Sequence, residues 1–505
     1  MPEISDDAQS VSTAASQRNV SFGTLVSYGL GDIYGGGSFM IVGLLFMFYL
    51  TEVVGLSPAL AGLVFGIGKV WDAVTDPLMG YISDNTRSRF GRRRMYFLAG
   101  IVPIAISFIL LWIPVRTHTQ AGLFLYYSFA YIIFATVFTM VMIPYSALAA
   151  ELSGDYKVRN RLSGARLFFS GFSSLLAATV PKIIIDSTKG SPTAGYLAMS
   201  IVFGLFFALP WIFVFFGTWE NPRIAGASIS RNFMKEFLSI FSNRSFRIHI
   251  LMYVFAYSAM DLLMALFTYY LTYYLRRPGI YSVAMGSLMV VQLAMIFVYV
   301  KVANSKGKRF AYILGLSIWL VGLYATAFLA PTTPLLLIAL ICAMIGLGTS
   351  AAVYIPYAIL PNVIDVDELM TGNQRSGVYS GAMTLTRKLV QGAIVMPLIG
   401  LFLQLVGFQS NQVQTQEVLN KFLVFFLGGP TILIAAGILA ATRFELSPKN
   451  SEVLAQELVR LRAGESMEEV DPSVKSVCEK VSGTRYEDCW KFREVARDNK
   501  GGATD

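Results

Sequence analysis

Lys69-Val70-Trp71-Asp72-Ala73-Val74-Thr75-Asp76-Pro77-Leu78-Met79-Gly80-Tyr81-Ile82-Ser83-Asp84-Asn85-Thr86-Arg87-Ser88-Arg89-Phe90-Gly91-Arg92-Arg93-Arg94 is the stretch on which the reading of this chain turns. From Pro58 to Gly68 the chain is wholly apolar or glycine, so Asp72 and Asp76 stand inside a segment that otherwise reads as membrane. They are four residues apart, one helical turn, and share a face. Lys69, three residues before Asp72, shares it too, and Thr75 adds a hydroxyl beside it. An ionised group in hydrocarbon costs a few kcal/mol or more, so such groups face a cavity or a partner. Two carboxylates and a hydroxyl on one face suit Na⁺, or a proton if one carboxylate is held neutral. A structural salt bridge from Lys69 is the alternative, although one lysine cannot neutralise two carboxylates. The five arginines from Arg87 to Arg94, with Asp84 and Gly91, form a short polar turn of the kind that marks a cytoplasmic loop.

Composition agrees. The 505 residues are 55% hydrophobic and 14% charged, where a soluble domain carries roughly 25% charged residues. Mean hydropathy is +0.58. The chain reads as an all-α, multi-pass membrane protein. The 63 residues from Arg443 on hold 11 basic and 13 acidic side chains, so the net charge of +9 comes entirely from the first 442. Cytoplasmic loops account for that excess, and it gives no reason to expect a nucleic-acid partner. Cys342, Cys478 and Cys489 make no disulfide framework. His118 and His249 are the only histidines, which disfavours a histidine metal site or histidine catalysis. The first 20 residues lack the apolar core of a cleavable signal peptide.

Apolar spans long enough for roughly 30 Å of hydrocarbon recur near 24–51, 58–82, 95–114, 121–150, 162–186, 194–217, 248–275, 281–302, 310–330, 334–360, 376–407 and 419–442. The expected plan is about twelve transmembrane helices. It comprises a cytoplasmic arm (1–23), a first six-helix half (24–217), a central cytoplasmic loop (218–247), a second half (248–442) and a soluble cytoplasmic tail (443–505). The 83–94 loop, the 218–247 loop and the 303–309 loop are all basic, as the positive-inside rule asks. Arg276-Arg277 falls on the other side and is the main exception. Both termini are then cytoplasmic. The halves repeat each other: Ile143-Pro144-Tyr145 near the end of the fourth span matches Ile355-Pro356-Tyr357 near the end of the tenth. Arg161-Leu162-Ser163-Gly164 and Arg375-Ser376-Gly377 follow, 17 and 19 residues after the prolines. Parallel halves around a central cavity are a known transporter architecture. In the tail, Ser451 to Arg462 has helical spacing; it lies on the membrane, lies on the cytoplasmic loops or a partner protein, or hangs free.

Other charges fall inside spans. Asp32 sits among glycines in the first span, facing a cavity or the cytoplasmic interface. Asp261 lies deep in the seventh and needs a partner. Arg166 opens the fifth span, and Arg387-Lys388 lie midway through the eleventh. A lysine there is costly unless it meets a cavity or a carboxylate. Asp84, Arg87 and Arg92 after the second span, and Asp365 and Arg375 after the tenth, are candidates for gating the cytoplasmic side.

Trp71-Asp72-x-x-Thr75-Asp76-Pro77-x-x-Gly80 with Thr86-Arg87-x-Arg89-Phe90-Gly91-Arg92-Arg93 resembles the signature of the glycoside–pentoside–hexuronide:cation symporters, the melibiose-permease-like branch of the major facilitator superfamily. Tyr28-Gly-x-Gly-Asp32, Thr51-Glu52-Val-Val-Gly-Leu56, Ile143-Pro144-Tyr145, Asp365-x-Asp367-Glu368, Thr371-Gly372-x-x-Arg375 and Thr384-Leu385 add to the match over about 24–442. The resemblance implies a major facilitator fold. It also implies a cation site (Na⁺ or H⁺, no other cofactor) at Asp72, Asp76, Thr75 and Thr139, where Asp72 and Asp76 would be the metal ligands if the ion is Na⁺. Thr75 stands where the sodium-coupled melibiose carrier has Asn. Arg166, Lys388 and Thr384 match residues near the sugar. The departures are Gly35, Gly36 and Met142, where melibiose carriers have the Lys, Asp and Asp that hold galactosyl hydroxyls, and Ser146, where they have a sugar-packing Trp. Asp32 completes the expected substrate site.

With the sugar-binding acids gone and the cations kept, the expectation is cation-coupled symport of an anionic sugar, such as a hexuronide or a sulfonated or phosphorylated sugar, in the bacterial inner membrane. The same Asp/Thr/Asp and Lys pattern resembles animal sodium-dependent lysophospholipid carriers, and Met142 would suit an amphiphile. A passive facilitator would share the fold without cation dependence. A nonconducting receptor would account for the tail. A membrane enzyme is disfavoured, because no nucleophile–base constellation stands in the sequence.

Overall fold

The computed structural model describes residues 20–490 except 116–118, 154–155, 189–190, 221–236 and 468. The N-terminal arm up to residue 19, His118, most of the central loop (Arg223, Arg231, Lys235 and Glu236 included) and the last 15 residues lie outside the described residues.

The chain is a bundle of long helices, numbered here in order: α1 Phe22–Phe46, α2 Pro58–Asn85, α3 Arg94–Leu110, α4 Gln120–Leu152, α5 Tyr156–Ser187 and α6 Pro192–Gly217, then α7 Arg244–Tyr274, α8 Tyr281–Lys306, α9 Lys308–Ala325, α10 Leu335–Thr371, α11 Ser376–Leu405 and α12 Gln416–Thr442. Ten of these are long and apolar enough to cross a membrane. The other two are α3, which has 17 residues, and α2, whose 28 residues include Lys69, Asp72 and Asp76. Helix starts are written in the sequence. Ser21, Asn243 and Thr415 each accept a hydrogen bond from a backbone N–H three residues on. Pro58 and Pro192 occupy first-turn positions, where a missing N–H costs nothing.

Several boundaries differ from the sequence reading: α5 begins at Tyr156 rather than at 162, so Arg166 lies ten residues into the helix instead of opening it. The tenth span does not end at 360: α10 runs on to Thr371, through Pro356 and Pro361, and stops at Gly372 in the left-handed region (φ 70°). Asp365, Asp367 and Glu368 are therefore helical residues rather than loop residues. Likewise Arg244 and Arg247 belong to α7, because Asn243 caps it, so the central loop is shorter than 218–247.

Among the turns at the basic end, Gly91 (φ 100°) precedes α3 and Gly307 (φ 90°) precedes α9. The two glycines take the same left-handed turn before the third and ninth helices, an echo of the Ile-Pro-Tyr repeat. At the opposite end α1 and α7 are tied together. Tyr269 Oη lies 2.6 Å from Thr51 Oγ1, and Thr268 Oγ1 donates to the Leu44 carbonyl at 3.2 Å. Nearby, Gly400 lies against the Pro58 backbone and Gly62 against the Met396 carbonyl, approaches no larger residue would permit. α8 reaches α5 where Ser282 Oγ donates to the Thr179 carbonyl at 2.8 Å. Toward the basic end, Gly164, Gly377 and Gly381 face open space, and Ser146 and Thr384 are exposed. The bundle is thus tied shut at the end opposite the basic loops.

After α12 come α13 Pro448–Arg462, capped by Ser447, and α14 Pro472–Ser482, capped by Asp471. They pack on the basic end. Arg462 binds Glu368 at 2.8 and 2.6 Å, Ser245 Oγ donates to the Val481 carbonyl at 2.6 Å, and the Trp490 N–H donates to the Met370 carbonyl at 3.1 Å.

Candidate functional site

α2 places Lys69, Asp72 and Asp76 on one face, and that face meets α11 and α4. Lys388 Nζ, from α11, donates to Asp76 Oδ2 at 2.5 Å and stands 3.6 Å from Asp72 Oδ2. Thr139 Oγ1, from α4, donates to Asp76 Oδ1 at 2.8 Å. Lys69 Nζ lies 3.6 Å from Asp72 Oδ2 and 3.6 Å from the centre of the Phe39 ring, a cation–π contact. The Asp72 side chain is 0% exposed and that of Asp76 20% exposed. Neither Asp72 oxygen has a hydrogen-bond partner, because both ammonium groups stand at ion-pair distance, beyond hydrogen-bond reach. A fully buried carboxylate with free lone pairs, beside a second carboxylate and a hydroxyl, is a donor set that fits a small cation. Thr75 sits on the same turn and gives its proton to the Trp71 carbonyl at 3.0 Å.

Local backbone supports the arrangement. Pro77, directly after Asp76, has no N–H and interrupts the α2 ladder there. α11 loosens into a π-helical turn over Gln391–Val395, three residues beyond Lys388. Such turns recur at functional sites. Gly392 in that turn leaves room for the Lys69 stem.

Nearer the basic end, Arg166 on α5 pairs with Asp32 on α1 at 3.3 Å and lies over the Tyr145 ring, 4.8 Å from its centre. Met142 is buried. A Cβ on Gly35 would stand 2.5 Å from Asp32 Oδ1 and 2.7 Å from Met142 Cε, and one on Gly36 would stand 2.5 Å from the Ser170 carbonyl. The positions that hold sugar-binding side chains in melibiose carriers are here spent on packing α1 against α4 and α5. In the later helices Asp261 meets Arg387 at 3.4 Å and accepts from Gln391 at 2.9 Å, while Arg387 lies over the Tyr257 ring. Four basic and four acidic side chains thus form one set of pairs along the interior: Arg166–Asp32, Lys388–Asp76, Lys69–Asp72 and Arg387–Asp261. Thr384 and Ser146 return their hydroxyl protons to their own helices and have no part in these pairs.

The gating candidates separate into two clusters. Arg92 and Arg93 both bind Glu151, and Arg93 also binds Asp84 at 2.5 Å. Glu220 accepts the backbone N–H groups of Arg92, Arg93 and Arg94 at 2.7–2.9 Å. Burial pushes the Glu151 carboxyl upward, against the pull of Arg92 and Arg93. Arg87 is exposed. In the second cluster Arg375 binds Asp367, which also accepts from Tyr379 at 2.8 Å. Asp365, two residues back, points elsewhere, since two residues along a helix rotate a side chain to the far face. Glu151, Glu220 and Tyr379 were not singled out in the sequence. The signal for Glu220 was present: it is one of only two acids in an otherwise basic loop.

A family profile described as MFS/sugar transport protein matches residues 27–448. The chain is 27% identical to a putative glycoside/cation symporter of Escherichia coli (strain K12) over 452 residues, 87% of this chain and 95% of the relative. It is 26% identical to a glucuronide carrier protein homolog of the same organism, over 80% of this chain and 88% of the relative. The crystal structure of a D-xylose–proton symporter superposes with a TM-score of 0.61 at 18% identity, covering 84% of this chain and 97% of that one.

Proposed function

The chain belongs to the MFS/sugar transport protein family, in the glycoside–pentoside–hexuronide:cation symporter branch, and on that premise we propose that it couples uptake of an anionic sugar to entry of Na⁺ or H⁺ across a bacterial inner membrane. It is a multi-pass membrane transporter and not an enzyme. The two six-helix halves, 24–217 and 248–442, would rock about the central pairs, with the basic end and both termini in the cytoplasm. The closed end would then face outward.

The observation that carries the reading is Lys388 on Asp76 and Asp72. A cation entering the Asp pair competes with an ammonium that belongs to α11. Its binding therefore loosens α11 from α2, which gives the differential interaction between states that coupling requires. Charge balance favours an anionic cargo. The interior pairs hold equal numbers of basic and acidic side chains, so a cation alone leaves the low-dielectric cavity one charge in excess, and a carboxylate or sulfonate entering with it restores neutrality. That a relative is named a glucuronide carrier homolog agrees with this. Met142, buried against α1, offers little surface to an acyl chain.

A thermal-stability screen of purified protein tests the reading. Hexuronates, sulfonated sugars and neutral glycosides are each added in NaCl and in choline chloride, from pH 5.5 to 8. A ligand that binds only the native state raises stability by mass action. The expected result is a rise in Tm with hexuronates or sulfonated sugars that grows with Na⁺, or with acidity if the ion is H⁺. Equal shifts in every salt and at every pH would leave a facilitator.

A further inference from the structure

The motif Thr51-Glu52-Val53-Val54-Gly55-Leu56 has no place in the cation site, yet it holds the closed end of the bundle. α1 ends at Phe46, and a π-helical turn over Tyr49–Val53 then carries Glu52 into the seam between the first six helices and the last six. Three separate pieces of chain meet there. Tyr273, from the end of α7, donates its hydroxyl to Glu52 Oε2. The Asn411 N–H, from the loop between α11 and α12, donates to the same oxygen at 2.9 Å, and Asn411 Nδ2 donates to the Glu52 carbonyl. Thr51, the preceding residue, meets Tyr269 of α7.

Glu52 is 6% exposed and takes part in none of the ion pairs among the described residues. The titratable groups around it are Tyr273 and Tyr269 from α7 and Tyr196 from α6, all phenols; the 406–415 loop brings Ser410 and Asn411. No cation compensates the carboxylate, whereas the charged interior acids Asp76, Asp72, Asp32 and Asp261 each have a lysine or arginine. Burial pushes the Glu52 carboxyl above its ordinary range, against the downward pull of the bonds from Tyr273, Asn411, Ser410 and Thr51.

We infer that Glu52 is a proton-binding site, distinct from the Asp72/Asp76 pair, that sets how readily the closed end opens. With the end closed, Glu52 is shut away from water without a counter-charge, and the neutral acid is favoured. When α1 parts from α7 and the 406–415 loop, water reaches the carboxyl and the ionised form is favoured. The sign follows by linkage: the closed state binds the proton more tightly, so acid favours closure and rising pH favours opening. The proton enters and leaves on the same side, because the site lies beyond the central pairs. It therefore tunes the conformational equilibrium and carries no net charge across the membrane.

The inference rests on the alternating-access reading only in needing two states of this end, and its test uses neither substrate nor coupling cation. Nitroxide labels at Ala121, at the start of α4, and at the exposed Val413 of the 406–415 loop report the width of the closed end by pulsed electron–electron resonance. Between pH 5 and 8 the long-distance population should grow as pH rises. In Glu52→Gln, permanently neutral, the short distance should persist at all pH. In Tyr273→Phe, which removes a donor to the carboxylate, the midpoint should move to higher pH. A wild-type distance distribution that ignores pH, or a pH response that survives unchanged in both variants, overturns the inference. A Tm of Glu52→Gln within a few degrees of wild type shows that the variant is folded.

Discussion

Lys388 Nζ and Asp76 Oδ2 lie 2.5 Å apart, and that contact joins α11 to α2 in the interior of the bundle. A cation that takes Asp76 from Lys388 must therefore change how the later helices sit on the earlier ones. Asp76→Ala and Asp72→Ala should each abolish cation-dependent concentrative uptake while leaving a folded protein, read by uptake into vesicles with imposed Na⁺ or pH gradients and by thermal unfolding. Unaltered accumulation in both variants would refute the cation site.

The two lysines on the pair are not equivalent. The Lys69 side chain is 6% exposed and lies against Phe39, with Asp72 at 0% beside it. Lys388 and Asp76 are 16% and 20% exposed. Removing one partner of a buried pair costs about 3–5 kcal/mol, because the other charge stays behind. Water reaching Asp76 should soften that cost at Lys388. Lys69→Ala is thus expected to lower Tm by several degrees more than Lys388→Ala, while Lys388→Ala has the larger effect on cation dependence. Equal Tm losses, measured by differential scanning fluorimetry in one detergent, would contradict the asymmetry.

Much of this was legible in the sequence, because membrane cost is legible: a charge at a span centre must have a partner. Asp72, Asp76, Asp261, Arg387 and Lys388 stood out on that ground alone. The sequence could not say which partner each would take. Arg387 with Asp261 and Lys388 with Asp76 are choices made by helix packing between residues more than a hundred positions apart. The end of α10 was misread because Asp365, Asp367 and Glu368 look like a loop by hydropathy, whereas Arg375 and Arg462 pair with the last two and keep the helix going. Gly35 and Gly36 read in the sequence as departures from a sugar site, and in the structure they serve close packing of α1.

Those contacts make a prediction of their own. A Cβ on Gly36 would meet the Ser170 backbone, which cannot rotate away as a side chain would. Forcing extra volume into a packed core costs about 1–3 kcal/mol. Gly36→Ala should lower Tm measurably, and Gly36→Asp, the melibiose-carrier residue type, should lower it further without creating melibiose binding. Restored melibiose-dependent stabilisation in Gly36→Asp would show that α1 and α5 can separate enough to rebuild the acid site.

The tail offers a pH test free of the membrane. Cys478, on α14, is fully buried, and burial pushes its thiol up to about 12 from an ordinary 9.0. The native tail therefore favours the neutral thiol. By linkage, the stability this contributes is complete below the unfolded value and is lost as pH rises toward the folded one, a window from about 9 to about 12. At pH 7.5 Cys478 should resist maleimide in the folded protein and react fully once denatured, because the thiolate is the reactive form and the site is closed. As pH rises above 9, labelling should accelerate more than free-thiol chemistry accounts for, because α14 leaves its seat on α7 and α10. Arg462→Ala removes a two-point contact to Glu368, whose side chain is only 5% exposed and is left short of donors. The variant should therefore bring the onset of labelling to lower pH than in the wild type. Rapid labelling of Cys478 in the native protein at pH 7.5 would mean that the tail is not seated on the bundle.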